Sequence, residues 1–224
     1  MFFSDFNSDE RMLSVLISKM DRTIPGFELK YRDEHRFKTD YDGVSVRGRT
    51  VWLPSRSILK KEPMKAFKML AFAYVILVDK MSKPRTFWRY YWYPHYFSVL
   101  SLFSLLSMCW SLFWLLCLVF LVFLLPLKSH YRALLLIRAY AAVLAVDLWR
   151  HGSVKNETRS WIEEKFCGWS HYRVYPDADV VRGWIEYFER LIIAVDSING
   201  DSIIADSKAY IDLYEVLTDI EWEA

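Results

Sequence analysis

The chain has 224 residues, of which 54% are hydrophobic, 17% aromatic and 25% charged, with a formal net charge of +2. That length supports one sizeable core, read here as a single domain over residues 1–224, and the apolar excess over an ordinary soluble composition must be concentrated in one place. Three scattered cysteines, Cys109, Cys117 and Cys167, argue against a disulfide framework and against a C-x-x-C site, and they fit a reducing compartment.

No cleavable signal peptide is expected, because residues 1–6 lead into Asp9, Glu10 and Arg11 without a basic region before an apolar one. Ser8 can cap a helix running to Met20, with Met12, Leu13, Leu16 and Ile17 on one face, and Pro25-Gly26 ends it. Residues 27–32 and 37–41 alternate like strands, Asp42-Gly43 is a hairpin signal, and 44–53 holds two more β-like runs around Arg47-Gly48-Arg49. A small antiparallel sheet is therefore expected before residue 55. Pro63 suits the first turn of a helix that continues to Met81, where Lys83-Pro84 stops it.

The apolar excess lies next. Tyr90, Tyr91, Trp92 and Tyr93 form an interfacial aromatic cluster, and residues 96–127 carry no formal charge. Residues 90–127 exceed the roughly 20 residues of one spanning helix but fall short of two full spans. Lys80, Lys83, Arg85 and Arg89 precede this stretch and Lys128, Arg132 and Arg138 follow it, so both ends prefer the cytoplasmic side. That favours an apolar helical hairpin with its bend near residues 107–111, and a membrane protein whose soluble part is cytoplasmic. A hairpin buried in a protein core is the other use of such a stretch.

Further helices are expected over residues 129–150, 156–166, 177–199 and 206–218, closed by Gly152, Gly168 and Gly200 after the first three. Charge is separated along the chain. Residues 46–89 hold eleven basic side chains against Glu62 and Asp79, whereas from Asp196 onward eight acidic residues face only Lys208. A basic half beside an apolar block suits an anionic membrane surface. Nucleic acid is not the expected partner, since no binding motif accompanies the charge.

The order of a sheet ending in residues 50–54, a helix over residues 70–79 and a later helix with Arg132 and Leu136-Ile137-Arg138-Ala139-Tyr140 resembles the zincin metallopeptidases of the gluzincin kind, in particular phage and bacterial members with an apolar insertion between the ligand helices. The resemblance covers roughly residues 45–152. Its strongest points are Leu70-Ala71, Asp79, Pro126, Arg132 and Arg138-Ala139-Tyr140. It implies an α+β, helix-dominated fold with the apolar hairpin inserted between two former ligand helices. In the family the first helix carries H-E-x-x-H, whose imidazoles four apart reach one zinc while the glutamate activates bound water, and the later helix supplies a glutamate. Laid on that pattern, Phe72 and Ile76 stand at the histidine positions, Ala73 at the general base and Leu136 at the third ligand. None can bind metal or move a proton. Asp79, Arg138 and Tyr140 are the implied surrounding polar residues.

Other residues offer no substitute constellation. His35, His95, His130, His151 and His171 occur singly, Asp147 shares the later helix with Tyr140, and Asn156-Glu157-Thr158 is a glycosylation sequon idle in a cytoplasmic protein. The expectation is a metallopeptidase-like, membrane-associated chain without zinc, acting by binding a peptide along the strand before the first ligand helix or a protein partner at the membrane. The alternatives are an active zinc metallopeptidase in a parental sequence that carries the ligands, and an unrelated helical membrane interaction protein.

Overall fold

A computed structural model describes residues 4–32, 43–92, 130–168, 175, 177–197 and 208–221. The fold is α+β and dominated by helices, with three short strands near the N-terminus among the described residues. Residues 93–129 lie outside the described set, and with them the expected apolar hairpin and its bend; so do residues 37–42, which carry the expected second strand and most of the Asp42-Gly43 turn. The chain divides into two compact units, the first made of Met1–Ser82, Arg138–Lys155 and Glu186–Ala224, the second of Lys83–Ile137 and Asn156–Ile185.

In the first unit, α1 (Ser4–Thr23) buries Met12, Leu13, Leu16 and Met20, a spacing of three to four residues that lines one helical face. Gly26, at φ 75°, turns the chain out of the helix where other residues would be strained. Arg49 Nη1 donates to the Pro25 carbonyl at 2.7 Å, fastening this turn to the sheet. The strands are β1 (Glu28–Tyr31), β2 (Ser45–Arg47) and β3 (Thr50–Leu53), in the order β1-β3-β2. β2 and β3 form the expected antiparallel hairpin, turned at Gly48 with φ 64°.

β1 departs from expectation. It pairs with β3 in parallel, Glu28 opposite Thr50 and Tyr31 opposite Leu53, so the sheet is mixed rather than wholly antiparallel. Turn residues dictate only the direction of the strand that follows them, and β1 reaches β3 through a longer connection. The middle strand is the one most enclosed, with Val51 and Leu53 fully buried.

After the short α2 (Ile58–Lys61), α3 (Pro63–Ser82) starts on its proline and runs through the middle of the unit. Residues 69–75 are buried on every side, because α1, α8 (Lys208–Glu221) and the strands β2 and β3 all pack on this helix. Next comes α4 (Pro84–Trp92), which belongs to the second unit. Lys83-Pro84 thus ends one helix and opens another. The helix α5 (His130–His151) contributes Arg138 onward to the first unit, and its Gly152, at φ 69°, donates its N–H to the Leu148 carbonyl to close it.

The second unit also contains α6 (Asn156–Cys167) and the start of α7 (Ala178–Ser197). Asp177 caps α7 by accepting from the Val180 N–H. Trp184 packs on Tyr175 and Phe166, with ring centroids 4.6 and 6.3 Å apart, and the Arg182 guanidinium grips both oxygens of Glu163 at 3.1 and 3.3 Å. The fork and the nearby Asp179 hold Arg182 firmly protonated.

Candidate functional site: the facing sides of α3 and α5

Three contacts align α3 with the later part of α5. Lys68 Nζ lies 2.5 Å from Asp147 Oδ1, the rings of Phe72 and Tyr140 are 4.6 Å apart at 47°, and Arg138 Nη2 is 3.4 Å from Asp79 Oδ1. Rising numbers on α3 meet falling numbers on α5, so the helices run antiparallel. Ala139, Ala141, Ala142 and Ala145 on α5 are all fully buried.

The sequence-derived residues are therefore partly assembled. Asp79 meets Arg138, and Phe72 meets Tyr140. Phe72 is 5% exposed, Ala73 is fully buried and Ile76 is half-buried. Leu136, one helical turn before Tyr140, is 7% exposed and belongs to the part of α5 that falls in the second unit. The four positions that would hold zinc and its base offer only hydrocarbon, and an aromatic pair fills the space beside the first of them. Zinc does not fit this set, because no side-chain atom in it has a lone pair to donate. Among the described residues no group of three His, Cys, Asp or Glu side chains could hold a metal ion.

The polar groups around this face serve the packing. Tyr210, on α8, donates from its hydroxyl to the Arg138 carbonyl at 2.5 Å. Complete burial pushes its pKa well up; the Arg138 charge opposes this and the Asp79 charge adds to it. Tyr74 donates to the Asp212 carboxylate, and its pKa is raised first by burial and then by that bond. Asp147 is 1% exposed and keeps its charge company with Lys68. Next to it on α5, Arg150 reaches Asp9 of α1 at 2.6 Å. His151 is exposed, and slight burial together with Lys155 and Arg150 holds it below the usual histidine value, with Asp147 pulling the other way.

Sequence reasoning missed Tyr74, Tyr210, Asp212 and Lys68. The acidic C-terminal end reads as a solvated run, yet Asp212 reaches Tyr74, and Glu215 pairs with Lys19 at 2.5 Å. The available signal was periodicity: Ala209, Tyr210, Leu213, Val216 and Leu217 recur at helical spacing, which turns that face inward.

β3, which leads into α3, is hydrogen-bonded on both sides, so a peptide cannot lie along it as an added strand. No family model matches the chain, and no match is found among curated proteins or solved structures.

Proposed function

We propose that this chain is a membrane-associated protein that acts by binding a partner at the bilayer, on a zincin-like helix pair whose metal site is closed by apolar side chains. The observation that carries the reading is the Phe72–Tyr140 ring pair, set between ion pairs at Asp79–Arg138 and Lys68–Asp147. A face prepared for metal would hold polar ligands, which are costly when buried without an ion; here Phe72, Ala73 and Leu136 are buried and Ile76 is half-buried, all apolar. Membrane association is supported by the uncharged residues 96–127 between basic flanks, although among the described residues no helix is long and apolar enough to cross a membrane. With β3 enclosed, the binding role falls to a partner at the membrane rather than a peptide on that strand.

Elemental analysis and flotation with lipid vesicles test the two halves. The purified chain should carry no stoichiometric zinc, ignore chelators and float with vesicles. Zinc at one per chain, with a hydrolytic activity lost to a chelator, would overturn the binding role. Recovery in the soluble fraction without detergent would overturn the membrane.

The parental-peptidase and unrelated-protein readings are separated by restoring the pattern. Phe72→His, Ile76→His and Leu136→Glu together should create a zinc site, and adding Ala73→Glu should supply a general base, so peptide hydrolysis would appear only in the fourfold variant. A triple variant without zinc affinity would leave only a helical membrane protein.

A further inference from the structure

No acidic residue occurs between Asp79 and Asp147, a stretch that includes α4 and the uncharged residues 96–127. Within it, α4 has a marked division of faces. Phe87 is 7% exposed and turns inward, packing edge-on to Trp88 with ring centroids 6.0 Å apart, while Trp88 itself is 41% exposed. Lys83, Arg85 and Arg89 are all exposed. Arg85 and Arg89, four residues apart, share a helical face, and Trp88 borders it three residues after Arg85.

An indole between guanidinium groups suits one environment in particular. Tryptophan favours the headgroup layer of a bilayer, with its ring in the hydrocarbon boundary and its N–H in water, and arginine pairs with phosphate through two parallel hydrogen bonds. We propose that the exposed face of α4 docks on the phosphate-bearing headgroups of an anionic bilayer, Arg85 and Arg89 engaging the phosphates and Trp88 entering the interface. This rests on the membrane reading above and specifies the lipid. Charge decides the occupant: Ile211 and Tyr214, exposed apolar side chains of the first unit, lie on a helix with Asp212 and Glu215 beside them, which an anionic surface repels. The place of α4, just ahead of the uncharged stretch, would bring its face to the bilayer surface wherever that stretch enters.

The test uses the full chain with vesicles of phosphatidylcholine alone or mixed with phosphatidylserine, each carrying a nitroxide lipid labelled near the headgroup. Quenching of Trp88 is read as the difference between the native chain and Trp88→Phe. That difference should be larger in the phosphatidylserine vesicles and should shrink with added salt. Arg85→Gln with Arg89→Gln should abolish the excess, whereas Arg85→Lys with Arg89→Lys should keep most of it; both pairs change exposed positions, and unchanged helix content by circular dichroism verifies folding. Equal quenching in the two lipids would overturn recognition of the headgroup. A chain that floats with vesicles but shows no quenching at Trp88 would overturn the surface while leaving the membrane reading intact. A chain that floats with neither vesicle would overturn both.

Discussion

Tyr74 donates its hydroxyl hydrogen to the Asp212 carboxylate, tying the middle of α3 to α8 across 138 positions of sequence. Tyr74→Phe leaves that half-buried carboxylate without this donor and should cost about 1–3 kcal/mol, read as a lower urea midpoint with an unchanged slope. Asp212→Asn retains an acceptor and should cost less.

Tyr74 and Tyr210 both have pKa values raised in the folded chain above the ordinary 10.0. Unfolding releases phenols that ionise near that ordinary value, so the unfolded chain binds fewer protons than the native one in alkali. Their contribution is complete below about pH 10 and is lost as the pH rises further. Lys80, lowered from 10.5 by partial burial, works the other way over the same range, but it is only half-buried and the buried phenols dominate. The helical signal in circular dichroism should fall above about pH 10, and Tyr74→Phe with Tyr210→Phe should flatten that decline relative to its own neutral baseline.

Lys68→Met removes the cation 2.5 Å from Asp147, a carboxylate with 1% exposure. The expected loss is about 3–5 kcal/mol, the usual result of stranding a buried charge. Lys68→Met with Asp147→Leu should recover most of it, since removing both charges also removes their desolvation. A double-mutant cycle by urea unfolding gives the comparison; a double variant no better than Lys68→Met alone would contradict it.

Phe72→Ala opens a cavity against Tyr140 and should lower stability by about 3–5 kcal/mol, more than Phe72→Leu, which keeps most of the contact. Thermal unfolding of the two variants tests this ranking. Similar values for both would mean that the ring pair contributes little.

If the uncharged stretch enters the bilayer, the two basic flanks should keep the N- and C-terminal ends on one side. Protease protection in oriented vesicles should therefore show both ends digested together or protected together.

The helical architecture was largely legible because proline and glycine punctuate it. Pro63 opens α3, Gly152 closes α5, and Asp177 caps α7. The direction of β1 was not legible, since the choice of β3 as neighbour depends on which strand can bury Val51 and Leu53 most completely. The helix α4 was hidden by Pro84, which reads as a stop for α3 but equally fits the first turn of a new helix. Of the candidate site, the meetings of Asp79 with Arg138 and Phe72 with Tyr140 join residues singled out by the resemblance, whereas Tyr210 and Asp212 come from a distant helix that no local motif marks.

The Asp79–Arg138 ion pair has a topological consequence. Asp79 lies in the last turn of α3, and the Arg138 side chain comes back within 3.4 Å of it. Departure and return share one place, so if the intervening residues enter a bilayer as proposed above, an even number of crossings is expected before Arg138. Closing so long a loop costs entropy that grows only with the logarithm of its length. A bilayer that draws the middle of the loop inward would oppose closure only by the slack it consumes. If the loop does insert, insertion and folding would be compatible in either order, provided that both ends of the loop stay on the same side.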